Sequence, residues 1–238
     1  MSLTHPTVTS PFPAPQSLQD IGIGVDQVEM LVIKTLYLGE STGLAIADRI
    51  RLPYPVVEPL IERARHERLL EVRGAEGTGT AAYRLALTDL GRDRARQFLA
   101  TSQYCGPAPV SLKTYVAYMK HLIETRGFVD RERLRRGFEH LIVDDQMLER
   151  LGPAVNAGKA VFLYGAPGNG KTVLAVGMGQ ALGGDMYVPH ALDVDGHIVT
   201  LFDPIWHRVL DEEEDRGSLW MAALNDRRWV RIQRPVVV

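Results

Sequence analysis

Residues 165–172 read Gly-Ala-Pro-Gly-Asn-Gly-Lys-Thr, and this stretch decides the expected fold. Its three glycines allow the backbone to curl so that successive amide N–H groups point inward at a bound anion. The lysine and threonine that end the loop add a mobile cation and a hydroxyl that can ligate Mg²⁺. This spacing is that of the phosphate-binding P-loop, so it predicts a site for a nucleoside triphosphate.

The segments on either side of the loop fit this interpretation. Residues 160–164 form an apolar run that predicts a buried parallel strand, and residues 172–182 predict a helix whose N-terminus faces the phosphates. Lys171, the expected catalytic residue, would reach the β- and γ-phosphates, and Thr172 would bind the metal ion. The predicted nucleotide-binding residues are Gly165, Ala166, Pro167, Gly168, Asn169, Gly170, Lys171, Thr172 and Val173.

At these positions the sequence resembles P-loop ATPases of the AAA type, in which the same loop follows a strand. The resemblance implies ATP and Mg²⁺ as cofactors. It also implies that an apolar segment upstream lines the adenine pocket, and residues 141–145, Leu-Ile-Val-Asp-Asp, take that place by order along the chain; a plain core segment is the alternative. The Asn-Lys-x-Asp motif of GTPases does not occur in the sequence, which favours ATP. A small-molecule kinase stays open, because the loop does not identify the phosphoryl acceptor.

The residues that would catalyse hydrolysis are harder to find. The resembled family uses an apolar strand that ends in Asp-Glu, where Asp supports Mg²⁺ and Glu polarises the attacking water. Residues 198–203 come nearest, but Pro204 follows Asp203 where the Glu would stand, so Asp203 is only a weak candidate for metal support. We therefore expect the chain to be the N-terminal part of a longer ATPase. A compact ATPase that lacks the usual residues is the alternative.

The region before residue 104 predicts a small domain of another kind. Three helices with apolar stripes precede a pair of strands around a Gly-rich tip, and Thr88 can cap a fourth helix. This order, with the runs Leu44-Ala45-Ile46-Ala47-Asp48 and Leu87-Thr88-Asp89-Leu90-Gly91, resembles winged-helix domains over residues 20–102. The predicted elements are helices at 26–38, 44–52, 55–69 and 88–99, and strands at 70–72 and 83–87.

The charge of this region bears on its partner. A winged helix on DNA places its third helix in the major groove. On the predicted third helix Glu58 and Glu62 stand beside Arg63 and Arg65, and the wing tip at 74–81 contains no Lys or Arg. Phosphate binding requires uncompensated positive charge. The pattern therefore favours contact with a protein partner or a second copy of the chain, and DNA binding is the less favoured alternative.

The rest of the chain supplies further local predictions. Asp130 is expected to cap a basic helix at 131–136 and Asp144 a helix that leads to the loop motif. Asp195-Gly196 predicts a two-residue hairpin turn. Strands are expected at 229–232 and 235–238, after an acidic loop at 211–215. The spacing of His190, His197 and His207 is not that of a metal site.

Composition sets the broad class. The chain has 238 residues, a formal net charge of -2 and one cysteine, Cys105, so an internal disulfide is excluded. No run approaches the roughly 20 apolar residues that a membrane-spanning helix needs. A cytoplasmic protein without membrane insertion is therefore expected.

Together these patterns predict an α/β protein with a winged helix-turn-helix domain followed by an incomplete P-loop NTPase domain. The expected organisation is a disordered tail at 1–19, the winged-helix domain at 20–103, a linker at 104–110 and the P-loop domain at 111–238. The expected function is an AAA-type ATPase that couples Mg-ATP to a conformational change in a partner protein. The alternatives are a nucleotide-responsive DNA-binding regulator and a P-loop scaffold that binds nucleotide without hydrolysis.

Overall fold

The computed structural model describes residues 11–125, 127–139, 141, 143–210 and 225–235. It combines helices with small β-sheets and packs as two compact units. The described residues of the first unit are 11–115, 188–202 and 225–230, and those of the second are the remaining ones. The predicted acidic loop at 211–215 and the last three residues of the predicted strand at 235–238 lie outside the described residues.

The first unit contains four helices at the positions where the sequence predicts them. Two of them begin at side-chain caps: the Thr42 hydroxyl accepts a hydrogen bond from Ala45 N, and the Thr88 hydroxyl accepts one from Gly91 N. These contacts satisfy amide groups that the first helical turn leaves without a partner. The helices are α1 (Val25–Tyr37), α2 (Gly43–Arg49), α3 (Tyr54–His66) and α4 (Asp89–Thr101).

A three-stranded antiparallel sheet accompanies these helices. It consists of β1 (Ser41–Thr42), β2 (Leu70–Ala75) and β3 (Tyr83–Leu87), in the order β1-β3-β2. The predicted hairpin pairs Leu70 with Leu87, and its register shifts between Val72 and Gly74. The hairpin and the three preceding helices enclose one apolar core, whose fully buried members include Val28, Leu31, Ile46, Leu60 and Leu85.

A second small sheet belongs to the same unit. It contains β4 (Val110–Ser111), β6 (Ala191–Val194) and β7 (His197–Thr200), with β4 parallel to β6 and β6 antiparallel to β7. Asp195 and Gly196 form the predicted turn with φ of 51° and 84°, the left-handed values that such hairpins require. Gln27 Nε2 of α1 donates to Asp193 Oδ1 at 2.8 Å and so ties this sheet to the helices.

The segment predicted as a linker, residues 104–110, is part of the first unit and packs against its core. Ala108 is fully buried and its N–H donates to Ile50 O, while Lys34 Nζ donates to Ser102 O and Tyr104 O at 2.7 and 3.0 Å. The proline and glycine content indicated an irregular segment, which is correct, but it did not reveal this burial. Burial lowers the pKa of the Lys34 ammonium group, and the two carbonyl oxygens accept hydrogen bonds from it.

The side chain of buried Arg228 joins two further segments of the unit. Its guanidinium forms a two-pronged ion pair with Asp226, and Nη1 donates to Ile21 O and Pro109 O at 2.8 and 3.1 Å. The side chains of Arg228 and Asp226 are each 5% exposed. The hydrogen bonds of the guanidinium group therefore offset part of the hydration that the two charges lose on burial.

Part of the predicted disordered tail also packs here, which corrects that prediction for its described residues. The ring of Phe12 stacks on Trp229 with 3.9 Å between centroids, and Phe12 O accepts a hydrogen bond from Asp226 N. A segment rich in proline and serine is not expected to contribute much to a core. The stacking of one aromatic ring is nevertheless enough to attach this short segment to the first unit. Residues 1–10 lie outside the described residues.

The second unit consists mainly of helices. Asp130 and Asp144 cap α6 and α7 as predicted, since their carboxylates accept from Arg133 N and Met147 N, each at 2.7 Å. Its core includes Leu134, Phe138, Leu148, Leu151 and Met178. The helices are α5 (Leu112–Thr125), whose first residues belong to the first unit, α6 (Arg131–Gly137), α7 (Asp145–Asn156) and α8 (Lys171–Leu182).

The structure describes two more strands. They are β5 (Asp185–Pro189) and β8 (Trp229–Gln233), which pair with each other, and β8 matches the predicted strand. In the described part of the chain, no helix has the length and apolar character needed to cross a membrane.

Candidate nucleotide-binding site

The loop at 165–170 leads directly into helix α8. Gly168 and Gly170 have φ of 84° and 68°, in the left-handed region that glycine adopts without steric cost. A Cβ built on either residue would meet no atom within 4 Å. The backbone conformation therefore explains the two glycines, and the space beside them is open to a ligand.

Lys171 is the first residue of α8, and its side chain folds back over the loop. Nζ donates a hydrogen bond to Ala166 O at 2.7 Å. Among the ion pairs that the described residues form, none includes Lys171, so its charge has no carboxylate partner there. A neutral carbonyl is a weaker partner for an ammonium group than a phosphate oxygen is. A bound triphosphate can therefore replace this contact.

The N-terminus of α8 presents its amide groups without a side-chain cap. The preceding residue, Gly170, offers no side chain, and the first intrahelical bond runs from Leu174 N to Gly170 O at 2.9 Å. The free N–H groups of the first turn carry the positive end of the helix dipole. Thr172 and Val173 are exposed, so the Thr172 hydroxyl can reach a metal ion bound to the phosphates.

Close helix packing fixes the position of α8. A Cβ added at Gly177 would lie 2.2 Å from the Phe138 ring, and one added at Gly137 would lie 2.6 Å from Gly177 O. Arg133 of α6 also donates to Leu182 O, at the other end of α8, at 2.7 Å. Sequence reasoning missed these contacts. Glycines inside two apolar helical stripes were the available signal for a close approach.

The segment before the loop is not the buried strand that the sequence predicts. Residues 160–164 adopt no regular structure, and Phe162 and Tyr164 are each 85% exposed. Val161 and Leu163 line an apolar groove of about 370 Å³ together with residues of α7 and α8. The prediction failed because a buried parallel strand needs neighbouring strands at its edges, and no described strand pairs with this segment.

The weak candidate for metal support, Asp203, has a local role. Its carboxylate accepts a hydrogen bond from Ile205 N at 2.8 Å, and its own N–H donates to His207 Nδ1 at 2.9 Å. These bonds stabilise the turn that follows β7. No hydrogen bond or ion pair of the described residues connects Asp203 with Lys171 or Thr172, so its predicted role stays a prediction.

The stretch proposed to line an adenine pocket serves packing and capping. Val143 packs against the core of the second unit, Asp144 caps α7, and Asp145 pairs with both Arg131 and Arg135. The two arginines hold the pKa of the Asp145 carboxyl below its usual value. Ile142 lies outside the described residues. The basic helix at 131–136 is thus partly neutralised, and the adenine role of this stretch remains a prediction.

Comparison with known proteins adds little to this geometry. No protein-family model matches the sequence, and no curated protein matches it. Among solved structures, a mutant of Lactococcus lactis ZitR is similar at 12% identity and a TM-score of 0.29. The match covers 57% of this chain and 73% of that chain. At this TM-score the likeness carries no argument about fold or function.

Proposed function

We propose that the chain binds Mg-ATP at residues 165–173 and belongs to an ATPase of the AAA type. The observation that carries the proposal is the arrangement of the loop. Lys171 Nζ lies over it, 2.7 Å from Ala166 O, beside an uncapped helix N-terminus and two left-handed glycines. Each of these features supplies positive charge or donors at one place, which is what a triphosphate requires.

The binding test replaces the lysine. Lys171→Ala removes the ammonium group and leaves the apolar core untouched, because Lys171 is at the helix N-terminus and not in the core. In a hundredfold excess over its dissociation constant, a ligand adds about 2.7 kcal/mol to the stability of the folded state. Saturating Mg-ATP should therefore raise the melting temperature of the parent chain by roughly 5 °C or more, and that of the variant by much less.

Lys159→Ala is the matched control for this test. Lys159 is an exposed lysine of the same unit, outside the loop motif. The Lys159→Ala variant should show the same shift in melting temperature with Mg-ATP as the parent chain. Equal shifts in the parent and in Lys171→Ala would show that ATP binds elsewhere or not specifically.

We further propose that the first unit is a winged-helix domain that contacts a protein partner or a second copy of the chain. Its arginines support this choice over DNA. Arg63 pairs with Glu29 and Glu67, Arg65 pairs with Glu62, and on the wing Arg84 pairs with Glu40. Arginines that are already paired release few counterions from DNA phosphates, so DNA affinity and its salt dependence should both be small.

A scaffold that binds nucleotide without hydrolysis is the second candidate function. One observation favours it over an ATPase that hydrolyses ATP: among the described residues, no hydrogen bond or ion pair joins a carboxylate to Lys171 or Thr172. A turnover measurement distinguishes the scaffold from an ATPase.

A further inference from the structure

A second pocket lies in the first unit, where the turn between α2 and α3 approaches residues 14–15 and 225–227. Its volume is about 570 Å³, which is in the range of pockets that hold small organic molecules. Its apolar lining comes from Leu44, Ala47, Leu52 and Pro53. Ala47 and Leu52 are buried, whereas Leu44 is 55% exposed and would be covered by a ligand in the pocket.

The polar groups of this pocket carry an imbalance of charge. Among the described residues that line it are two guanidinium groups, those of Arg51 and Arg227, and a single carboxylate, that of Asp48. Arg227 Nη2 donates to Asp48 Oδ1, so this carboxylate already has a cationic partner. The hydrogen bonds and ion pairs of the described residues include none from the Arg51 side chain. The described lining of the pocket therefore has one guanidinium in excess.

The neighbours of Arg51 are affected by its charge. The hydrogen bond from Arg227 is the main cause that lowers the pKa of the Asp48 carboxyl, and the charge of Arg51 lowers it further. Burial is the main cause that lowers the pKa of His190, and the charge of Arg51 adds to it. Among the described residues, no second carboxylate lines the pocket to balance it. A partly buried guanidinium without a hydrogen-bonded anionic partner gains free energy when a ligand carboxylate is supplied, because such bonds are charge-assisted.

We propose that this pocket binds a small organic carboxylate with an apolar body, whose carboxylate pairs with Arg51 and whose body contacts Leu44, Ala47 and Leu52. The site is separate from the nucleotide loop and does not depend on the function proposed for it. Tyr54 also lines the pocket, and its hydroxyl is already hydrogen-bonded to Glu58 and Thr80.

The experiment compares ligands that differ only in charge. Benzoate, decanoate and 1-naphthylacetate are titrated into the full chain by calorimetry, each beside its neutral amide. At least one carboxylate should bind saturably at millimolar concentration or below, and at least tenfold more tightly than its amide, because a charge-assisted bond contributes about this factor. Equal affinity for acid and amide, or no saturable binding of any of the three acids, would overturn the proposal.

Variants of matched arginines locate the site. Arg51 and Arg68 both have φ of 59° after a helix, but Arg68 is exposed and outside the pocket. Arg51→Gln should weaken binding of the carboxylate at least tenfold and leave binding of the amide unchanged, whereas Arg68→Gln should change neither. Lys171→Ala should also leave carboxylate binding intact, so failure of the nucleotide proposal and failure of this one give different results. Loss of binding in Arg68→Gln, or full binding in Arg51→Gln, would contradict the assignment.

Discussion

His190 illustrates how one residue in the first unit links charge to stability. Its N–H donates to Arg228 O at 2.9 Å, its carbonyl accepts from Leu201 N at 3.0 Å, and its ring meets Phe202 edge-on at 5.2 Å. Burial, with a smaller contribution from the charge of Arg51, lowers the pKa of the imidazole from 6.5 to about 4. The folded protein therefore holds this ring neutral at pH 5.

This shift predicts a loss of stability in mild acid. As pH falls from 6.5 towards 4, the unfolded chain takes up a proton that the folded chain excludes, so the free energy of unfolding decreases. Below about pH 4 both states bind the proton and the loss from His190 ends. The uptake of one proton lowers the free energy of unfolding by at most about 1.4 kcal/mol per pH unit, and the remaining solvent contact of the ring reduces this value.

His190→Gln removes the titrating group and keeps a polar side chain. Urea unfolding of parent and variant at pH 7, 5.5 and 4.5 should show a shallower decrease in the variant over this interval. Other groups titrate alike in the two proteins and cancel in the comparison. Identical slopes would show that the imidazole is not protected from protonation in the folded state.

At the scale of helices, the packing of α6 against α8 determines where the nucleotide loop is held. Gly177→Ala would force a methyl group into the Phe138 ring, 2.2 Å away, and such overpacking costs about 1–3 kcal/mol. Gly152→Ala in α7 is the control, because its Cβ would meet only Leu134 Cδ2, at 3.7 Å. Alanine has a higher helix propensity than glycine, but the residue before Pro153 is restricted in its helical backbone conformation, and these two effects offset each other. The free energy of unfolding of Gly152→Ala should therefore stay within about 0.5 kcal/mol of that of the parent.

Chemical denaturation measures both variants, and Mg-ATP binding by the folded fraction shows whether the loop has moved. A Gly177→Ala protein as stable as the parent would mean that α6 and α8 are farther apart than described.

Elements that depend on nearby residues could be predicted from the sequence, and those that depend on distant partners could not. Thr88, Asp130 and Asp144 cap the helices expected of them, because a cap needs only a side chain and an amide three residues later. The Asp195-Gly196 turn is equally local. Residues 160–164 show the limit: an apolar run indicates burial, but it does not contain the strands that would bury it.

Distance along the chain also limited the prediction of the first unit. The parallel pairing of Val110 with Leu192, and the bonds from Arg228 to Ile21 and Pro109, join residues far apart in sequence. No periodicity or turn signal encodes such contacts. The predicted boundaries followed changes of composition and so did not anticipate that residues 188–202 pack with the N-terminal helices.

On the scale of the whole molecule, the loop that binds phosphate and the groups that activate water are separate requirements. In the proposed function, the loop, Lys171 and the N-terminus of α8 would act on the ground state, because they would contact phosphate oxygens whether or not the terminal bond breaks. Hydrolysis needs a base or a polarising carboxylate positioned at the attacking water, and commonly an arginine that stabilises the transition state. In the described part of the chain neither kind of side chain contacts Lys171 or Thr172.

We therefore predict that this 238-residue chain binds Mg-ATP and hydrolyses it slowly, well below the turnover of about one per second that is ordinary for enzymes. The measurement is steady-state phosphate release at saturating Mg-ATP, with occupancy checked by the shift in melting temperature. Lys171→Ala supplies the background, since a contaminating ATPase would be unaffected by it. Asp203→Ala tests whether Asp203 supports the metal ion. Metal support predicts that the variant shows a weaker dependence of ATP binding on Mg²⁺ and a lower residual rate of hydrolysis. If Asp203 only accepts the hydrogen bond from Ile205 N, the variant should change local stability alone. Turnover above about one per second in the parent and not in Lys171→Ala would contradict the prediction, because it would require a water-activating group among residues that make no described contact with the loop.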